Sequence, residues 1–134
     1  DGALRAAEAS GDPALVAASP AARAEARRAA GQLGPALADA RSSAKSQVDF
    51  GIKVAQNGLW KEAIYRWEKA VEVDPTYSAA WNNLGIGYEH EGRFEDARKA
   101  YEKAVALDPK NILIRQNYDL FKEINDRAKR RNDR

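Results

Sequence analysis

The sequence contains an internal repeat with an offset of 34 residues. The run Trp67 to Pro75, WEKAVEVDP, recurs as YEKAVALDP from Tyr101 to Pro109. Three further pairs keep the same offset: Gly51 and Gly85, Gly58 and Gly92, and Ala63 and Ala97. Several matches in one register indicate stacked copies of one supersecondary unit. The alternative, an irregular helical bundle with accidental similarity, does not explain the shared register.

Each unit has the pattern of two helices joined by a turn. In the second unit, the apolar and small residues of the first helix recur at the spacing of one helical face. They are Trp81, Leu84, Gly85 and Tyr88. Gly92 follows, and glycine readily adopts the left-handed conformation that ends a helix. Pro109 ends the second helix because proline lacks a backbone N–H. The pattern therefore predicts an antiparallel helical hairpin.

Small residues mark the predicted contact between the two helices of a hairpin. Gly85 and Ala97 fall where the axes would pass closest, while Tyr101 fills the wider space beside them. A glycine inside a helix costs about 1 kcal/mol relative to alanine. Its presence at positions 51 and 85 indicates that close approach outweighs helix propensity.

These positions resemble the signature of the tetratricopeptide repeat (TPR). The residues that carry the resemblance are Trp81, Leu84, Gly85, Tyr88, Ala97, Tyr101 and Pro109. Residues 78–111 fit at every signature position, whereas residues 44–77 depart at Gln47 and Val54. The resemblance implies an all-α fold, a TPR-type helix-turn-helix solenoid in which antiparallel helix pairs form a right-handed superhelix.

The chain divides into four parts by composition and repeat. They are an Ala/Arg-rich helical leader or tether (1–43), the first repeat (44–77), the second repeat (78–111) and a C-terminal capping helix with a basic tail (112–134). All the aromatic residues follow Val48. Because two repeats alone rarely bury a continuous core, the leader, the capping helix or a second chain must complete it.

The leader carries helix start signals at Asp12-Pro13 and Ser19-Pro20. We expect short helices near 13–18 and 20–30, followed by a longer helix from about 36 into the first repeat. If the leader packs, Leu33 and Leu37 are the expected anchors; otherwise it is a flexible tether. Its Ala/Arg-rich composition is typical of bacterial GC-rich coding.

The TPR resemblance also implies a binding surface, because the first helix of each hairpin lines the concave face of a TPR domain. The residues carried over to this groove are Lys45, Val48, Ile52, Gln56, Asn82, Asn83, Ile86, Glu89, His90, Gln116, Asn117 and Leu120. This mixture of apolar side chains and amides suits a short apolar or amphipathic segment. Asn82 and Asn83 are expected to hydrogen-bond its backbone.

Two other interpretations of the groove stay open. In the first interpretation, Ile52 and Ile86 are covered by the leader or by a neighbouring protomer. In the other, the groove holds a C-terminal carboxylate, as some TPR domains do with a clamp of cationic residues and asparagine. Asn83 fits that clamp, but the remaining positions hold Val48, Ile52, Leu113 and Asn117, and none of these is cationic.

The sequence offers no catalytic or metal-binding constellation. Cysteine is absent and His90 is the single histidine, so a nucleophilic triad or a metal site lacks partners. We therefore predict no enzyme activity and no cofactor. The formal charge of +2 is too small to attract nucleic acid strongly. The basic run after Asp126 is interpreted as a solvated helix end, with nucleic-acid binding as the alternative.

The sequence thus predicts a protein–protein interaction adaptor or scaffold that binds a partner peptide or helix in its groove. The alternative is a self-assembling module, a homo-oligomer whose groove is filled by another protomer's terminal helix. No apolar run approaches the ~20 residues that span a bilayer. The chain begins at Asp1 rather than methionine, so we expect a processed form or a fragment, and cytoplasmic and periplasmic locations both stay open.

Overall fold

The computed structural model describes residues 14–16 and 35–133, with side chains of the second range from residue 38 onward. This part of the chain contains five helices: α1 (Pro35–Gln56), α2 (Trp60–Val73), α3 (Ser78–His90), α4 (Phe94–Leu107) and α5 (Ile112–Asn132). Consecutive helices pack against one another, and α1 also contacts α3. The stacked, all-helical arrangement confirms the predicted fold class.

Both hairpins turn at the predicted glycines. Gly58 and Gly92 have φ angles of 78° and 75°, in the left-handed region that side chains with a Cβ disfavour. The residue after each glycine donates its backbone N–H to the end of the preceding helix: Leu59 to the Val54 carbonyl at 3.0 Å, and Arg93 to the Tyr88 carbonyl at 2.8 Å. The two repeats therefore share one turn geometry.

The large aromatic residues pack onto the glycines, as the repeat predicted. Trp67 and Tyr101 are buried at equivalent positions of α2 and α4. A Cβ added to Gly85 would lie 2.7 Å from the Tyr101 ring. Trp67 also donates from Nε1 to the Val48 carbonyl at 3.2 Å. The first helix of each hairpin thus needs a glycine, because the aromatic ring of the second helix occupies the space that a Cβ would fill.

Asp74 joins the two repeats at the end of α2. Its Oδ1 accepts from the Thr76 backbone N–H at 3.0 Å and from the Thr76 hydroxyl at 2.6 Å. Its Oδ2 accepts from Arg41 of α1. Burial raises the pKa of Asp74, but the hydrogen bonds from Thr76 and Arg41 outweigh it and hold the pKa below its ordinary value. The carboxylate therefore fixes the α2–α3 turn against α1.

Helix α5 covers the open end of the second repeat. Ile114 and Phe121 are buried, and the Phe121 ring lies 5.3 Å from that of Tyr101. The opposite face and the basic end of the helix are exposed. Among the described residues, none of the helices has the length and apolarity to cross a bilayer.

The leader differs from the expectation of a helix near 13–18. Residues 14–16 are not helical, because Ala14 lies in a turn and Leu15 and Val16 have irregular backbone. Their main chain bonds instead to side chains of α3 and α5. The expected helix at 20–30, Leu33 and the side chain of Leu37 lie outside the described residues. Helix α1 begins at Pro35, which confirms the continuous helix expected from about 36.

Candidate peptide-binding groove

A buried asparagine of α3 binds the leader through its peptide-like side chain. Asn83 accepts from the Val16 backbone N–H with Oδ1 at 2.8 Å and donates from Nδ2 to the Val16 carbonyl at 3.1 Å. A carboxamide carries both a donor and an acceptor, so it can satisfy both main-chain groups of one residue. Asn83 therefore pairs with Val16 much as a neighbouring strand would.

Two further amides hold the preceding part of the segment. Asn82 of α3 and Asn117 of α5 both donate to the Ala14 carbonyl, at 3.0 and 3.1 Å. Asn117 also donates to Oδ1 of Asn82 at 3.1 Å. This network connects α3, α5 and the leader. Asn82 and Asn83 are fully buried, and a buried amide without partners would cost about 1–3 kcal/mol.

The side chains of the segment enter the protein core. Leu15 and Val16 are only 1% and 4% exposed. They belong to the same apolar cluster as Val48, Ile52 and Ile86 of the helices α1 and α3. Burial of an aliphatic side chain of this size stabilises by roughly 1.5–3 kcal/mol. The segment is therefore held by both directional bonds and apolar burial.

An open cavity of about 290 Å³ adjoins the segment on the side of Ala14. Its walls come from α3, α4, α5 and the leader. They are formed by Ala14, Ile86, Glu89, His90, Tyr101, Asn117, Leu120, Phe121 and Ile124. Leu120 and Ile124 are more than half exposed, at 57% and 56%. The cavity therefore extends the groove beyond residues 14–16 and presents apolar surface to solvent.

Polar side chains on the rim of the cavity are fixed by neighbouring rings. Glu89 accepts a hydrogen bond from the Tyr101 hydroxyl. The His90 ring stacks on Trp60, with centroids 3.7 Å apart and planes 11° from parallel. Because Trp60 belongs to α2 and His90 to α3, this stack connects the first repeat to the rim of the cavity.

Tyr88 provides a second link between the repeats. Its hydroxyl donates to Glu68 Oε2 at 3.0 Å. Burial, together with the charge and the hydrogen bond of Glu68, raises the pKa of Tyr88 to about 12. Tyr88 therefore keeps its proton well above neutral pH and donates a hydrogen bond from α3 to α2.

A family model of the tetratricopeptide repeat matches residues 78–111, which comprise α3, α4 and the turn after α4. Residues 78–111 are a tetratricopeptide repeat. The five stacked helices around this match fit a TPR protein. A comparison with curated proteins finds no match.

The structure divides the predicted groove residues into several sets. Asn82, Asn83 and Asn117 bind the main chain of residues 14–16. Val48 and Ile52 lie in the core beside them. The cavity is lined by Ile86, Glu89, His90 and Leu120. Asn117 also lines the cavity, in addition to its bond to the leader. The predicted groove is thus a trough that residues 14–16 fill in part and that stays open at the end lined by the cavity.

The remaining predicted residues lie elsewhere. Lys45 forms an ion pair with Asp49 of its own helix at 2.9 Å. Gln56 and Gln116 are exposed and do not line the cavity. The interpretation as a carboxylate clamp gains no support from Asn83, because its carboxamide already pairs with the Val16 main chain.

Sequence reasoning missed several residues of the site. The leader segment 14–16 gave no periodic signal, and Tyr101 was assigned only to the packing between the two helices of its hairpin. Phe121 and Ile124 lie at helical spacing in α5, and this spacing could have indicated an apolar surface at the groove end. Within the described residues, no group of three or more His, Cys, Asp or Glu side chains could hold a metal ion.

Proposed function

We propose that this TPR protein is a non-catalytic adaptor whose groove binds an extended segment of a partner protein. TPR modules are in general protein–protein interaction modules. The observation that carries the finer proposal is the set of bonds from Asn82, Asn83 and Asn117 to the main chain of residues 14–16. These amides bind main-chain N–H and carbonyl groups, which any partner segment carries.

Main-chain recognition of this kind suits an adaptor. Bonds to backbone groups supply affinity for many sequences, while pockets for alternate side chains supply selectivity. In this groove, selectivity would come from the apolar sites of Leu15 and Val16 and from the open cavity beside Ala14. A partner segment that fits needs apolar side chains and no charge at the buried positions.

The second candidate is a self-assembling module in which the groove of one copy receives a segment of another copy. The same contacts of residues 14–16 favour it, since they would be equally good between two chains. Sedimentation of the full chain distinguishes the two, because a monomer that captures partners fits an adaptor and a stable dimer fits self-assembly.

Site-specific photo-crosslinking tests the adaptor proposal. A benzophenone amino acid replaces Leu120 at the open end of the groove, and in a control it replaces Lys103, an exposed residue of α4. The full chain is then irradiated in an extract of the source cell, and cross-linked partners are identified by mass spectrometry. We expect partner adducts from position 120. Adducts from position 103 alone would overturn the proposal.

A further inference from the structure

We infer that residues 14–16 are a resident ligand of the groove and that they display the sequence class of its partners. That class is a segment with two consecutive apolar residues, as Leu15 and Val16 are, preceded by a residue that borders the open cavity. A partner of this class must displace the leader to bind. The inference rests on the proposed function, since it names the ligand of the same groove.

The contacts are specific in a way that simple coverage of an apolar surface would not require. Both main-chain groups of Val16 are bonded by one carboxamide, and the Ala14 carbonyl is bonded by two more. The partners are 67 to 103 residues away along the chain, so no local turn produces the arrangement. These bonds fix the register of the segment and therefore the position of each side chain.

The register determines which residues a competing ligand can carry. The side chains of Leu15 and Val16 are buried in the core cluster, where a charged group would lose its hydration without a partner. Ala14 is partly buried and borders the open cavity. A ligand therefore needs apolar side chains at the second and third positions, while the first position adjoins open space.

A resident segment weakens the apparent affinity of any external ligand. A segment tethered to its own site competes at an effective concentration on the order of mM. The apparent dissociation constant of the external ligand rises by the reciprocal of the fraction of empty grooves. Release of the leader should therefore strengthen external binding about tenfold or more.

Peptide binding to the full chain tests the inference. The probe is a fluorescent peptide with the sequence of residues 11–19, GDPALVAAS, and binding is followed by anisotropy. The proteins are the wild type and Leu15→Asp, whose leader should leave the groove. We expect the variant to bind the peptide about tenfold more tightly than the wild type. A peptide with aspartate in place of its leucine should bind neither protein.

A second measurement covers the case in which Leu15→Asp does not fold, as judged by circular dichroism. Unlabelled peptide at mM concentration is added to the isotopically labelled wild type, and the Val16 amide resonance is followed by NMR. We expect that resonance to move to the position of an unbonded amide as the leader is displaced. A Val16 resonance that stays in place at saturating peptide would overturn the inference.

Other outcomes also decide the question. Equal peptide affinity for the wild type and a folded Leu15→Asp variant would contradict a resident ligand. A wild-type dimer that becomes a monomer in the Leu15→Asp variant would also contradict it, because the segment in the groove would then come from a second copy. If the peptide does not bind but position 120 still cross-links to partners, only this inference fails. If the peptide binds but no partner adduct forms, the adaptor proposal fails instead.

Discussion

The carboxamide of Asn83 and the main chain of Val16 are paired in both directions, although 67 residues separate them in sequence. The N–H of Val16 donates to Oδ1, and the carbonyl of Val16 accepts from Nδ2. Both residues are buried, so water cannot readily replace either bond. This pair connects the leader to the second repeat more directly than apolar packing alone would.

Replacement of Asn83 by alanine should release the leader. The change leaves two main-chain groups of Val16 without partners, at a cost of about 1–3 kcal/mol if they stay buried. We expect Val16 amide exchange to accelerate roughly tenfold or more, while the helices stay folded. Amide hydrogen exchange followed by NMR measures this. Gln116→Ala, which alters an exposed amide of α5, is the control, and equal protection of Val16 in both variants would contradict the prediction.

Gly85→Ala should destabilise the second hairpin. The new Cβ would lie 2.7 Å from the Tyr101 ring, and overpacking of a tight core costs about 1–3 kcal/mol. The gain in helix propensity, about 1 kcal/mol, offsets only part of this. We expect a lower urea midpoint with an unchanged m-value.

A double-mutant cycle with Tyr101→Leu shows whether the ring is the cause. A smaller side chain at position 101 removes the clash, so Gly85→Ala should cost less in that background than in the wild type. An equal loss of stability in both backgrounds would mean that the Tyr101 ring is not the reason for glycine at position 85.

The sequence predicts the helical frame well because each boundary has a local cause. Gly92 ends α3 with a positive φ, and α4 ends at Leu107, just before Asp108-Pro109. The spacing of Trp67 and Tyr101 predicts two equivalent core positions, and both side chains are buried. Periodicity and breaker residues operate within a few positions of one another, so a single sequence is sufficient to locate these elements.

The sequence left the occupant of the groove open between the leader, a neighbouring protomer and an external segment. Asp12-Pro13 has the form of a helix start, yet Ala14 lies in a turn because its carbonyl bonds to Asn82 and Asn117. These long-range bonds override a local propensity, and no pattern within the leader encodes them. The expectation that Asn82 and Asn83 bind the backbone of a bound segment named suitable side chains, but it did not say which residues of the leader they would bind.

Asp74→Asn should make the protein less stable at neutral pH and less sensitive to acid. The folded pKa of Asp74 lies below its unfolded value, so the carboxylate stabilises the fold above the unfolded pKa and loses this effect as the pH falls through the folded pKa. The amide keeps an acceptor for Thr76 but loses the charge that faces Arg41. We expect a loss of about 1 kcal/mol at neutral pH.

Urea unfolding at several pH values measures this difference. The difference in the free energy of unfolding between wild type and Asp74→Asn should narrow as the pH drops below 3.8, the ordinary pKa of an aspartate. Thr76→Val removes the hydroxyl that donates to Asp74 and accepts from Arg41 but keeps the carboxylate charge, so it should retain more of the acid sensitivity. A gap that stays constant down to the acid transition would show that the carboxylate contributes through packing alone.

Leu120→Asp should weaken partner binding with little effect on stability. Leu120 is 57% exposed and lines the cavity, so a charge there is hydrated in the free protein but would be buried beneath an apolar partner residue. Ile112→Asp is the matched control, because Ile112 is 71% exposed on the same helix and does not line the cavity. We expect partner capture to fall about tenfold for Leu120→Asp, as the loss of about 1.4 kcal/mol would produce, with urea midpoints of both variants near that of the wild type. If the two substitutions reduce capture equally, the apolar end of the groove contributes nothing specific to recognition.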